Sequence, residues 1–256
     1  MISRHCSTGV LLAGLAALAA AALACNLPSF GQGGCPTRLD QETLDRLTLS
    51  MNETAQMQPG GTADFDVGTV ECCYFYEPVD TCTVYSVTPT DGASIDPDTG
   101  VLTLDADVPS GSVYEVNADV ENGRRVVSIE VHVYTDEANP LVGQWHEDSQ
   151  LACEGGEEIV PEEPILEMVF RADGTFSVTW YPFEVYEDYW GTYTYDPAAG
   201  TLTFEVENGN YVPDDLDLSG TFALDEQGQL ILGDMWLGTP MDSDAPVGCG
   251  HRFSRG

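Results

Sequence analysis

The groups with chemistry to offer in this chain are thiols, carboxylates, a few imidazoles and one dense run of aromatic rings. Cys6 lies in an apolar N-terminal segment; Cys25, Cys35, Cys72, Cys73, Cys82, Cys153 and Cys249 follow it, an odd set. Cys72 and Cys73 are adjacent, so on a strand they face opposite sides and cannot both meet one partner. Oxidation is the expected chemistry: one of them pairs with Cys82 across a hairpin turning near Glu77-Pro78 and the other with Cys35, while Cys153 pairs with Cys249. No histidine stands near the Cys72-Cys73 pair, which argues against zinc there. Cys25 is then the thiol without a partner, open to acylation or to life as a free or intermolecular thiol.

The other candidates are weaker. Within "TWYPFEVYEDYWGTYTY" the side chains of Trp180, Tyr181, Phe183, Tyr186, Trp190 and Tyr193 could line an apolar ligand site with phenolic hydrogen bonds. They could equally be packing, because Phe170, Phe176, Trp180, Tyr193, Phe204, Phe222 and Trp236 all fall on inward-reading positions. His132, His146 and His251 share no spacing that makes a metal set or a triad. Paired carboxylates such as Asp214-Asp215 with Asp217, or Glu162-Glu163, say little in so acidic a chain. The Asp96-Pro97-Asp98-Thr99-Gly100 turn has oxygen ligands for calcium but lacks the acidic residue that completes an EF-hand loop, and an Asx-stabilised turn is the better reading. No nucleophile elbow, phosphate loop or dinucleotide fingerprint occurs, so we expect no catalytic residues, no metal, no cofactor and a non-enzymatic protein.

Charge excludes one partner class. The 256 residues carry 43 Asp plus Glu against 8 Lys plus Arg, a formal net of -35, and every cation is an arginine. A surface of that sign repels a phosphate backbone, which excludes nucleic acid.

The first 24 residues read as a secretory signal: Arg4 and His5, an apolar run from Val10 to Leu23, then small residues. Ala22-Leu23-Ala24 fits the pattern cut by an ordinary signal peptidase. Followed by Cys25, the same residues resemble the lipobox of bacterial lipoproteins, and the resemblance implies a diacylglycerol on the Cys25 sulfur. Ala22 departs from the leucine usual at that position. The apolar run is shorter than the roughly 20 residues of a spanning helix. The expectation is an extracytoplasmic protein held to a bacterial membrane or envelope surface by lipid.

The elements behind that anchor are strands. Residues 25–45, rich in Gly and Pro at first and carrying "LDQETLDRL" later, form a tether with a turn or two of helix. From 46 to 136 about seven short strands are expected. Tyr114, Val116, Ala118 and Val120 alternate along one, and Val127, Ile129, Val131 and Val133 along the next, with a hairpin turn at Asn122-Gly123. "ASIDPDTGVLT" followed by "VYEVNADVENG" resembles bacterial immunoglobulin-like domains, which implies a β-sandwich and a protein partner for it.

Residues 140–256 read as eight strands: 142–148, 165–171, 175–181, 189–196, 201–207, 217–225, 229–236 and 249–254. Each is apolar on one side, and an even number of hairpin-linked strands can close into an up-and-down barrel. Gly143-Gln144-Trp145 at the start of the first strand resembles the Gly-x-Trp opening of lipocalins and other calycin barrels. The resemblance implies an arginine of the last strand packed over Trp145, with Arg252 as first choice and Arg255 as second, and a small apolar or amphipathic ligand within. The expected protein is all-β: a sandwich, then a lipocalin-like barrel. The alternative is a structural or adhesive surface protein with a filled barrel and protein or envelope partners.

Overall fold

The computed structural model describes residues 35–52, 55–70, 76–183, 186–241 and 247–256. Apart from one short helix the described chain is all-β. Cys25, Cys72 and Cys73 lie outside the described residues.

Helix α1 (Gln41–Arg46) starts at Asp40, whose carboxylate accepts the Thr43 N–H at 2.8 Å. Glu42 in its first turn and Arg46 in its last suit the helix dipole, and Leu44 is fully buried. Ten strands follow: β1 (Leu49–Met51), β2 (Gln56–Met57), β3 (Thr62–Asp64), β4 (Val67–Val70), β5 (Tyr76–Pro78), β6 (Thr83–Thr88), β7 (Ala93–Ile95), β8 (Val101–Leu104), β9 (Val113–Val120) and β10 (Arg125–Val133). They form three sheets, β2-β10-β9-β6, β1-β4-β5 and β3-β8-β7. Met51, Val67, Leu102, Val116 and Val131 from the three sheets share one core. The count exceeds the seven expected because strands of two or three residues are too short to show alternation.

The β9–β10 turn also differs from the expected two-residue loop. Val120 pairs with Arg125, so Glu121 to Arg124 form the connection, and Glu121, Asn122 and Gly123 all have positive φ (56°, 59° and 83°). A buried glutamate in that conformation needs compensation. Glu121 has it: its carboxylate accepts the N–H groups of Arg38 and Cys82, each at 2.9 Å, and its own N–H donates to the Cys82 carbonyl.

Nine further strands make one sheet: β11 (Gly143–Leu151), β12 (Glu158–Ile159), β13 (Glu167–Phe170), β14 (Thr175–Thr179), β15 (Tyr189–Asp196), β16 (Thr201–Gly209), β17 (Ser219–Leu224), β18 (Leu230–Gly233) and β19 (Gly250–Arg255). Eight of them run in chain order from β11 through β13 to β19, every neighbour antiparallel, and β19 pairs back onto β11. The sheet is therefore a closed up-and-down barrel, and closure removes the edges that would invite pairing with another chain. The small β12 adds a ledge to the far end of β11, Gln150 opposite Ile159.

Short and long connections alternate, and they fall on opposite ends. At one end Asp173, Asp196 and Asp225 fold their carboxylates onto backbone N–H groups at each tight turn. At the other end emerge four long connections, 152–166, 180–188, 210–218 and 234–249. The segment entering from the sandwich meets the tight-turn end. Gln56 accepts the Ala172 N–H at 2.8 Å, and Tyr195 donates to the Ala138 carbonyl at 2.8 Å. Leu141 of this segment is buried in the barrel core. Gly191 marks a β-bulge, where a Cβ would sit 1.9 Å from the Glu205 carbonyl oxygen, so only glycine fits. No helix among the described residues is long and apolar enough to cross a membrane.

Candidate functional site

The barrel interior is the first place a ligand would go, and rings occupy it. Trp180 meets Tyr189 at 6.0 Å between centroids, Tyr189 meets Phe176 at 6.1 Å, and Phe176 meets Phe204 at 4.6 Å. The file continues through Phe170, 5.8 Å from Phe204, to Tyr193, 5.0 Å further and edge-on. Each such pair adds about 0.5–1.5 kcal/mol beyond its buried area. Leu202, Phe222, Leu230, Leu232 and Phe253 fill the space around the file.

The six aromatics expected to line a ligand site do not gather in one place, and Phe183 lies exposed in the 180–188 connection. Trp180 and Tyr193 are interior but stand at opposite ends of the file. Burial pushes the Tyr193 phenol up to about 12, so it stays protonated, donating to the Arg171 carbonyl at 2.8 Å while accepting from Asn139. Trp190 alternates outward on β15. Tyr181 and Tyr186 lie exposed in the 180–188 connection. That arrangement corrects the picture of one aromatic-lined pocket: period-2 alternation splits Tyr189 and Tyr193 from Trp190, and the loop carries the others away from the core.

The seam where β19 meets β11 holds the expected staple: Cys153 and Cys249 are disulfide-bonded, with Cα atoms 4.8 Å apart. Cys35 and Cys82 are each disulfide-bonded as well. The arginine over the tryptophan is Arg255, 5.0 Å from the Trp145 ring, and not Arg252. Arg255 also donates to the carbonyls of Pro140 and Val142. Arg252 faces outward and pairs with Asp225 at 2.7 Å and Glu158 at 3.0 Å. Strand parity is the reason: His251, Phe253 and Arg255 share the face that Trp145 needs, and Arg252 does not. Gly143 completes the cap with φ at 137°, a conformation L side chains rarely adopt, and the side of Gly143 where a Cβ would project faces the Arg255 guanidinium.

One buried ionisable pair escaped the sequence reading. Glu147 and His251, both inward on the neighbouring strands β11 and β19, meet with 2.6 Å between Oε1 and Nδ1. The Leu237 N–H donates to His251 Nε2 at 3.1 Å, which leaves the ring proton on Nδ1 facing the carboxylate. The second Glu147 oxygen accepts the Ile165 N–H at 2.8 Å, and Trp236 stacks on the imidazole at 4.8 Å. Both nitrogens of His251 are thus spent, and the pair ties β11, β19 and the 234–249 connection together. Its signal was in the strand: Trp145 and Glu147 share parity. Tyr189 closes the same region by donating to the Leu237 carbonyl at 2.7 Å, and burial followed by the charges of Asp188, Asp215 and Glu147 raises its phenol well above the usual value.

The sandwich carries a cleft of about 540 Å³, lined among others by Pro89, Asp91, Asp105, Asp107, Val108 and Tyr114. Its one phenol is engaged, Tyr114 donating to the Asp91 carbonyl at 2.8 Å. The Asp96 turn is an Asx turn, the carboxylate accepting the N–H groups of Asp98 and Thr99 at 2.9 Å each. Among the described residues no three His, Cys, Asp or Glu side chains gather as metal ligands.

No protein-family model matches this chain, and no curated protein matches it. Among solved structures it is similar to a structural-genomics protein of unknown function from Bacteroides ovatus, at 9% identity over 81% of this chain and 92% of that one, with a TM-score of 0.26. A likeness that slight carries no argument about fold or function.

Proposed function

We propose that this chain is an exported surface lipoprotein, held through Cys25 to a bacterial membrane or envelope, that acts through the outer surface of a solid barrel and not through chemistry inside it. The observation that carries the reading is the unbroken file of rings from Trp180 to Tyr193. A lipocalin-like ligand would have to displace that file. The support therefore moves from a small apolar ligand toward the structural or adhesive alternative, with protein or envelope partners. The disulfide between Cys153 and Cys249 supports an extracytoplasmic setting, since such bonds persist in oxidising compartments. The resemblances to bacterial immunoglobulin-like domains and to calycins remain part of this proposal: spacer first, barrel presented beyond it.

Intact mass of the protein extracted from its own membrane, measured denatured and then native, tests both halves. The denatured mass should carry a diacylglycerol on Cys25, and an unacylated N-terminus in the soluble fraction would refute the anchor. The native mass should equal the denatured one; a retained small molecule would restore the ligand-binding reading.

A further inference from the structure

The barrel end with the four long connections is chemically unlike the rest of the molecule. Of the thirteen large hydrophobic side chains exposed among the described residues, nine lie in these connections. Val160 is 82% exposed, Phe183 71% and Tyr181 54%, with Tyr186, Met241 and Val247 also in the open. The same four segments contain fourteen Asp and Glu and no lysine, arginine or histidine. Arginines of the barrel wall neutralise two of those carboxylates, Arg252 at Glu158 and Arg171 at Glu187. Glu154, Glu157, Glu162, Asp214, Asp217 and Asp234 are exposed with no cation in their own segments, whereas Asp188 is buried and Asp215 half-buried.

The connections are fastened to one another in a ring, so the end behaves as one surface. Burial raises the Tyr181 phenol, and the Glu163 carboxylate lies close enough to help raise it, which brings 152–166 beside 180–188. The Tyr211 N–H donates to the Asp188 carbonyl and Asn210 donates to the Glu187 carbonyl, joining 180–188 to 210–218. Tyr211 then donates to the Thr239 carbonyl, and Asp215 accepts from Thr239 and from the Trp236 ring, joining 210–218 to 234–249. The Cys153–Cys249 disulfide returns the circuit to 152–166.

Exposed aromatics that stay out of a filled core are costly to leave in water unless something covers them. We infer that this loop-bearing end of the barrel is a docking surface for a basic polypeptide, whose Lys or Arg side chains meet the carboxylates and the exposed rings while its apolar side chains cover the aromatics. This rests on the reading that the barrel works from outside. Charge complementarity selects the occupant. A second copy would bring the same carboxylates against themselves, and an anionic lipid surface would be repelled. Arginine satisfies both features at once, pairing with carboxylates and stacking on Tyr and Phe faces.

The test uses the full chain in non-ionic detergent with three synthetic peptides of equal length: alternating Arg and Trp, alternating Glu and Trp, and alternating Arg and Gly. The Arg-Trp peptide should bind about tenfold more tightly than either control, equivalent to about 1.4 kcal/mol. Its footprint in hydrogen exchange should fall on the four connections. The double variant Val160→Ser/Phe183→Ser, altering the two most exposed of these side chains, should lose about that tenfold. Val84→Ser/Val126→Ser, a matched change on the sandwich, should leave affinity unchanged. Equal loss in both variants, equal binding of the Arg-Gly peptide, tight binding of the Glu-Trp peptide, or self-association through these connections would each overturn the inference. A small molecule retained inside the barrel would refute the underlying reading separately, since it shows in the native mass without any peptide present.

Discussion

At the scale of single residues, one buried carboxylate and one half-buried one carry more structure than their numbers suggest. Burial would raise the Glu121 carboxyl, but the backbone N–H groups of Cys82, Arg38 and Leu39 outweigh it and hold it below the usual 4.5. Asp215 behaves likewise: burial opposes ionisation, and the hydrogen bonds from Thr239 and Trp236 prevail, so it too lies below the ordinary aspartate value. A carboxyl lowered on folding adds stability that is fully present above its unfolded pKa and is lost as pH falls through the folded one. Urea midpoints of the full chain should thus stay level from pH 7 to 5 and fall below about pH 4, where these groups protonate. Glu121→Ala should cost about 1–3 kcal/mol at pH 7 by leaving the buried Cys82 N–H and the part-buried Arg38 N–H unpaired, and should weaken the acid dependence. A wild-type acid profile in that variant would contradict the assignment. Arg255→Ala should lower stability by about 0.5–2 kcal/mol and shift Trp145 emission, whereas Arg252→Ala should leave the emission unchanged.

Among the elements, the β11–β19 seam is the decisive one, because it turns an open sheet into a barrel. It is held by ladder hydrogen bonds, by the Glu147–His251 pair and by a disulfide spanning 96 residues of sequence. Closing a loop of that length is worth about 4–5 kcal/mol in the chain-entropy model, an upper figure when strain intervenes. Cys153→Ser/Cys249→Ser should therefore lower the unfolding free energy by up to that amount without opening the barrel, since the ladder and the buried pair remain; equilibrium denaturation beside the far-UV spectrum would show it. His251→Phe keeps the volume and the stack on Trp236 but strips Glu147 of its partner, so a loss of about 1.5–3 kcal/mol is expected. A neutral result would mean the carboxylate finds another donor.

For the whole molecule, the formal charge of -35 acts against compaction everywhere at once. Self-repulsion of that kind is screened by salt, so the thermal midpoint should rise from about 10 mM to about 500 mM sodium chloride, most steeply at the low end. A flat or falling midpoint would show that local ion pairs such as Arg252 with Asp225 and Glu158 outweigh the net charge. The main strands of the barrel, their order and the tight turns between them were legible in the residues, because alternation and Asp-Gly turn chemistry are local properties. That is why segments such as 189–196 and 201–207 reappear as β15 and β16 nearly unchanged. The pairing of Cys153 with Cys249 was legible too, as a consequence of barrel closure. Parity alone also held the choice of Arg255 and the inward place of Glu147, although neither was drawn from it. What only the tertiary structure decided is what no local pattern encodes. The rings form an unbroken file through the barrel, Glu121 turns inward to hold the segment leading in from the N-terminus, and four separate connections come together as one acidic, aromatic surface. Each of these depends on which residues meet across long stretches of chain, and alternation specifies a face without specifying what it will touch.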